Sequence, residues 1–168
     1  MTAEAVFQAL RSKGWKLVTA ESCTGGMVAA AITDIAGSSE IFDRGFVTYS
    51  NEAKVEMLGV PTELIKKHGA VSEEVARAMA EGALAHARAD IAVSITGIAG
   101  PSGGSETKPV GLVHFACATK ETTAHVRRRF KNRGRSSIRA AAMNQALEMV
   151  LEALSTDNAR ASKADITF

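Results

Sequence analysis

Six residues, Ile91-Ala-Val-Ser-Ile-Thr96, followed at once by the glycine-rich stretch Gly97 to Ser105, restrict the architecture of this 168-residue chain more than any other feature. The run is short, β-branched and apolar without alternation, the pattern of a strand covered on both faces. Such a strand needs helices above and below it. Ala3 to Lys13 carries Val6, Phe7 and Leu10 on one side and stops at Gly14. Trp15 to Ala20 reads as a first strand, Glu21 to Gly26 as a turn, and Met27 to Ile35 as an alanine-rich helix. Phe46 to Tyr49 reads as a buried strand, followed by a helix capped by Asn51 that ends at Gly59. A short helix begun by Pro61 and Thr62 precedes a longer one, capped by Ser72, from Glu73 to about Arg88. Val110 to Thr119 and Thr122 to Lys131 form a hairpin around Lys120 and Glu121, and a last helix runs from about Ser136 to Leu154. Residues after Ser155 read as a polar, partly disordered tail. Strands alternating with helices predict a single α/β domain with helices on both faces of a sheet, and the closing hairpin makes that sheet mixed.

The charge is small and uneven. Arg127, Arg128, Arg129, Lys131, Arg133, Arg135 and Arg139 form a basic run with no acid between them, and the rest of the chain then carries 13 basic against 18 acidic residues. Positive charge is therefore local, and only Phe130 interleaves it as an aromatic, which argues against a nucleic-acid partner. No apolar run approaches the roughly 20 residues of a membrane helix. Cys23 and Cys117 have neither metal-ligand nor disulfide-framework spacing, so a reducing cytoplasm is the expected compartment. His68, His86, His114 and His125 are scattered, and no metal site is expected.

Four segments could carry chemistry. Ser22 lies in the turn between the first strand and its helix, at the sheet edge where α/β proteins bind ligands. It could be a nucleophile, with the N–H groups around Thr24, Gly25 and Gly26 receiving an oxyanion. Local sequence alone favours a cap, Ser22 or Thr24, because the spacing is not the G-x-S-x-G elbow. Cys23 reads as a small buried filler rather than a thiol nucleophile. Lys54 falls in the first turn of the helix after the second strand. A cation there faces the positive helix end, and its pKa should fall from the usual value of about 10.4, as a general base requires. Alone, Lys54 also fits an ordinary surface lysine. Tyr49, close by, could donate a hydrogen bond. Thr96 with Gly97, Gly100, Gly103 and Gly104 could bring backbone N–H groups against an anion or a planar ring, although the loop equally suits an ordinary mobile connection. It is neither a Walker motif nor a dinucleotide fingerprint. Arg135, with Arg133 and Arg139, begins the last helix, where a phosphate would satisfy both guanidinium and helix N-terminus. A solvated basic face is the alternative, and it is the better account of Arg127 to Lys131.

Taken together, Thr19-Ala-Glu-Ser-Cys-Thr-Gly-Gly26, Ala36-Gly-Ser-Ser39, Gly45 to Lys54 with Leu58-Gly-Val60, His68-Gly-Ala-Val-Ser72 and Ser94-Ile-Thr-Gly-Ile-Ala-Gly-Pro101 resemble the CinA C-terminal domain family. The match spans nearly the whole chain before the polar tail. It implies a three-layer α/β/α sandwich around a mixed, mostly parallel five-stranded sheet. It also implies hydrolysis of the carboxamide of nicotinamide mononucleotide to nicotinic acid mononucleotide and ammonia, with no cofactor. The family's serine and lysine pair falls on Ser22 and Lys54, and its substrate-site residues on Ser39, Tyr49, Thr96 and an arginine at or near Arg135. Family members often have Gly, an acid and Arg where this chain has Arg133-Gly134-Arg135, so the alignment leaves open which of Arg133, Arg135 and Arg139 meets the phosphate. Longer relatives carry an N-terminal domain linked to nucleotide pyrophosphatase activity, which is not expected here. The rival expectations are a nucleotide-binding module of this family without turnover, and a nucleic-acid binder. Alanine-rich helices suit close packing between copies of the chain, so a homo-oligomer is within the expectation.

Overall fold

A computed structural model describes residues 2–164. In chain order the elements are α1 (Thr2–Lys13), β1 (Leu17–Glu21), α2 (Met27–Thr33), a 3-10 turn (Ser38–Glu40), β2 (Phe42–Val47), α3 (Asn51–Leu58), α4 (Thr62–His68), α5 (Glu73–Ala85), β3 (Ile91–Gly97), β4 (Leu112–Thr119), β5 (Thr123–Arg129) and α6 (Arg135–Ala164). The five strands stand in the order β2-β1-β3-β4-β5. β1 pairs parallel with β2 and with β3, β4 runs antiparallel to β3, and β5 antiparallel to β4. Four strands therefore point one way and β4 alone opposes them, so the sheet is mixed and mostly parallel in direction.

Each face of the sheet has its own packing chemistry. Leu17, Ile91, Val93, Ile95, Val113 and Phe115 project toward α1, α2 and α6, where they meet Leu10, Ile32, Ile138, Leu147 and Val150. Burying side chains of this size is worth about 1.5–3 kcal/mol each, which makes this layer the main source of stability. The opposite face presents Val18, Ala20, Ala92, Ala116 and Ala118 to α4, α5 and the end of α3. Small residues on both sides let α5 lie close, near enough for Ser94 Oγ to donate to the Ala76 carbonyl at 2.6 Å. The α3 and α5 backbones also approach closely, since a Cβ at Gly82 would collide with the Leu58 carbonyl. Together the two faces complete the three-layer α/β/α arrangement.

Several boundaries differ from expectation. β2 begins at Phe42, ends before Thr48 and is partly exposed rather than buried. It is an edge strand bonded only to β1, so Asp43 and Arg44 can face solvent where an apolar run would be needed in the interior. The cap of α3 is Ser50, whose Oγ accepts from Ala53 N–H at 3.0 Å, and Asn51 is the first helical residue. The last helix does not stop near Leu154 but continues to Ala164. Lys13 of α1 holds the extension through an ion pair with Asp157 and a 2.9 Å hydrogen bond to Asn158. The end of the expected polar tail, 165–168, lies outside the described residues.

Candidate active site

β1, β2 and β3 share one edge at their carboxyl ends, with Glu21 beside Val47 on one side and Ile95 on the other. The residues that leave those ends therefore gather there. Ser22 to Gly26 turn the chain from β1 into α2, with Gly25 at φ 58° and Gly26 at φ 102°, a left-handed conformation that glycine adopts without strain. Gly26 caps α2 with no side-chain bond, so neither Ser22 nor Thr24 is the cap. Glu21 does that work instead. Its Oε1 accepts from Thr24 Oγ1 at 2.8 Å and Val28 N–H at 2.9 Å, and its Oε2 from Ala29 N–H at 3.1 Å. A carboxylate at this end complements the helix dipole. The N-terminal amides of α2, expected to be open to an anion, are thus taken by the chain's own acid. In the turn, Gly25 N–H donates to the Ser22 carbonyl at 3.0 Å. The N–H groups of Cys23, Thr24 and Gly26 bond to no oxygen among the described residues.

Lys54 reaches this turn from α3. It is 1% exposed and is among the largest fully buried side chains of the described residues. Its Nζ stands 3.1 Å from Ser22 Oγ, and it donates to the Thr48 carbonyl at 2.9 Å. The Tyr49 and Ser50 carbonyls lie further off, at 3.4 and 3.5 Å. A neutral amine has two N–H bonds and one lone pair. The carbonyl side of this pocket can take the N–H bonds while the lone pair receives the Ser22 O–H. Burial pushes the Lys54 pKa down, and the opposing pull comes from Cys23, when its thiol is ionised, and from the Glu52 carboxylate. Burial is the largest of these causes. Beside Ser22, burial raises the Cys23 thiol to about 11, so Cys23 stays protonated and serves as filler.

Ser22 and Lys54 lie at the base of a cleft of about 330 Å³, within the size range of small-molecule sites. Thr96, Gly97, Gly100, Gly103, Tyr49 and Arg135 line it. Arg135 donates to the Gly100 carbonyl and to Tyr49 Oη, each at 2.9 Å, and so ties the glycine-rich loop to the opposite rim. Thr96 is fully buried, and its hydroxyl donates to the Ala70 carbonyl at 2.8 Å, which fixes the segment that contributes Ala70 and Val71 to the wall. Arg139 does not line the cleft; it holds the carbonyls of Cys23 and Thr24 from behind, at 3.0 and 3.1 Å.

Some expected residues fall elsewhere. Ser39 is exposed in the 3-10 turn before β2, at the amino end of that strand, so the sheet separates it from the cleft in the same chain. Tyr49 is not a half-buried strand residue. Its ring is at the rim, the residue is 60% exposed, and it is its carbonyl that faces Lys54. Thr24 is buried and committed to Glu21, and neither Gly25 nor Gly26 reaches the cleft. Gly104 is also outside, and a Cβ there would come within 2.8 Å of Val110 N, so close packing accounts for it. Asn51 and Ser102 line the cleft although their sequence signals, a helix start and a loop serine, did not distinguish them.

Comparison with known proteins gives a consistent set of matches. The CinA C-terminal domain family matches residues 1–154. Nicotinamide-nucleotide amidohydrolase PncC of Escherichia coli strain K12 is 59% identical over 145 residues, which cover 86% of this chain and 88% of that protein. A longer CinA-like protein of Syntrophobacter fumaroxidans is 51% identical over 153 residues, 91% of this chain but 36% of its own length. Among solved structures, the competence/damage inducible protein CihA of Agrobacterium tumefaciens superposes with a TM-score of 0.89 at 51% identity, covering 92% of this chain and 93% of that one.

Proposed function

The chain belongs to the CinA C-terminal domain family, and from that membership and the contact between Ser22 and Lys54 we propose that it hydrolyses the carboxamide of nicotinamide mononucleotide. The products are nicotinic acid mononucleotide and ammonia. Ser22 Oγ attacks the carboxamide carbon while Lys54 Nζ accepts the hydroxyl proton, and the oxyanion meets the amide of Cys23, which lines the cleft. Lys54 then returns the proton to the amide nitrogen, the C–N bond breaks and ammonia leaves an ester on Ser22. Water attacks that ester, again giving its proton to Lys54, and the C–O bond to Ser22 breaks as the proton goes back to Oγ. The sum is one amide and one water converted to one acid and one ammonia.

The cleft supports an orientation with the carboxamide at the Ser22 end and the phosphate at Arg135 on the rim. Between them, Ala70, Val71, Ile98 and Ala99 offer short apolar walls of the kind a flat ring packs against. Arg135 is the arginine that this reading assigns to the phosphate, because Arg139 is committed to the turn and Arg133 lies outside the cleft lining.

One observation carries the proposal: a fully buried amine whose nearest side-chain partner is a serine hydroxyl at 3.1 Å. Ammonia release from nicotinamide mononucleotide tests it. Ser22→Ala should abolish release while the nucleotide still binds. Binding without release in the unsubstituted protein would instead identify a nucleotide-binding module, and near-normal turnover in Ser22→Ala would remove Ser22 as nucleophile.

A further inference from the structure

We propose that Arg139 is a positioning residue for the reaction, one that holds the oxyanion-binding turn in place without touching the substrate; the inference rests on the reading of Ser22 as nucleophile. The turn that follows Ser22 is gripped from two sides by opposite charges. On one side the Glu21 carboxylate collects donors, the Thr24 hydroxyl and the N–H groups of Val28 and Ala29. On the other, the Arg139 guanidinium supplies donors to acceptors: Nε to the Cys23 carbonyl at 3.0 Å and Nη2 to the Thr24 carbonyl at 3.1 Å. A planar fork that fills two adjacent carbonyls fixes the orientation of the peptides between them, which a lysine's single ammonium cannot do as well.

The two carbonyls belong to the peptides whose nitrogens are Thr24 and Gly25. Cys23 is the residue after Ser22 that lines the cleft, and a guanidinium on its carbonyl fixes the orientation of the residue whose N–H faces a developing negative charge. The Cys23 N–H bonds to no oxygen among the described residues, whereas the Gly25 N–H closes the turn on the Ser22 carbonyl. Arg139 comes from the first turns of α6, and Ile138 beside it is buried in the core, so the guanidinium is delivered from a rigid element. The glycine at position 25 completes the fit. A Cβ there would stand 3.4 Å from Arg139 Nη2, so the guanidinium lies directly against a residue that needs φ 58°.

The test combines ammonia release from nicotinamide mononucleotide with the rate at which a fluorophosphonate labels Ser22, since phosphonylation passes through a charged oxygen at the same donors. In Arg139→Ala, kcat and labelling rate should fall together by about 100-fold, the scale of losing one oxyanion donor, while KM stays within about twofold. Guanidinium chloride at non-denaturing concentration should restore part of both in Arg139→Ala and add nothing to the unsubstituted protein. Arg139→Lys, which keeps the charge and one bond, should fall between the two and covers the case in which the alanine variant does not fold. Unchanged kcat and labelling in folded variants, or a raised KM with kcat kept, would overturn the positioning role while leaving Ser22 as nucleophile. Failure of the unsubstituted protein to label at Ser22 would instead take down the reading on which it rests.

Discussion

Glu21 and Lys54 are each 1% exposed, lie at the same end of the sheet and meet the same five-residue turn, yet they are solvated in opposite ways. The Glu21 carboxylate is answered by three donors, two of them amides at the N-terminus of α2. Its charge is therefore an asset, and its task is to fasten the turn to the helix. Lys54 is answered by one close carbonyl, two distant ones and a serine hydroxyl, and burial lowers its pKa. On the proposed mechanism the difference separates a structural ion from a reactive one: where every bond suits the charged form the group is a staple, and where burial opposes the charge the group is suited to give up its proton.

The widest separation of the two should come from Lys54→Met. Ammonia release should fall on the order of 1,000-fold or more, about 4 kcal/mol of barrier, while the unfolding midpoint is kept or raised because a buried amine has been replaced by an apolar chain. Loss of fold in step with loss of turnover would erase the distinction. A third buried base extends the comparison. His114 Nδ1 lies 2.9 Å from His125 Nε2, and His125 faces Glu73 at 3.5 Å. Burial first, then the charges of His125, Arg127 and Lys108, lower the His114 pKa to about 4. The unfolded chain binds this proton below about 6.5 and the folded chain only near 4, so stability is full above the first value and is lost as pH falls toward the second, by up to about 3 kcal/mol. Urea unfolding between pH 7 and 4 should show that slope, and His114→Gln should flatten it.

Glu21→Gln should reverse the Lys54 result, costing about 2 kcal/mol of stability because a neutral amide cannot accept all three bonds. Turnover should fall less than in Lys54→Met, and an effect on rate alone with stability intact would blur the contrast. Lys13→Ala marks the lower end, since its ion pair to Asp157, at the rim where α1 meets the end of α6, lies away from the cleft. It should cost less than about 1 kcal/mol and leave turnover unchanged, with fraying of the end of α6 visible by hydrogen exchange.

Much of this arrangement is readable from local pattern. The β-branched run from Ile91 to Thr96, the turn after β1 and the β4–β5 hairpin are marked by apolar runs and glycine punctuation within a few residues. That Ser22 and Lys54 follow neighbouring parallel strands is enough to bring them to one edge. What local pattern misses is what depends on distant partners. The first half of β2, with Asp43, Arg44 and Gly45, lacks the apolar run that marks Phe46 and Val47, because only pairing with β1 makes it a strand. Ser39 is close to Lys54 in sequence but precedes β2 where Lys54 follows it, so strand direction puts them at opposite edges. Arg139 reads as one of seven basic residues until α6 is packed beside the turn, and the Glu21 staple becomes visible only when α2 is placed.

Titration of the Lys54 amine, followed by NMR with ¹³Cε-labelled lysine, reaches the central claim most directly. The expected result is one lysine whose midpoint lies well below the usual value of about 10.4 and moves when Ser22 is replaced by alanine. A Lys54 resonance that titrates with the surface lysines and does not respond to Ser22→Ala would contradict the account.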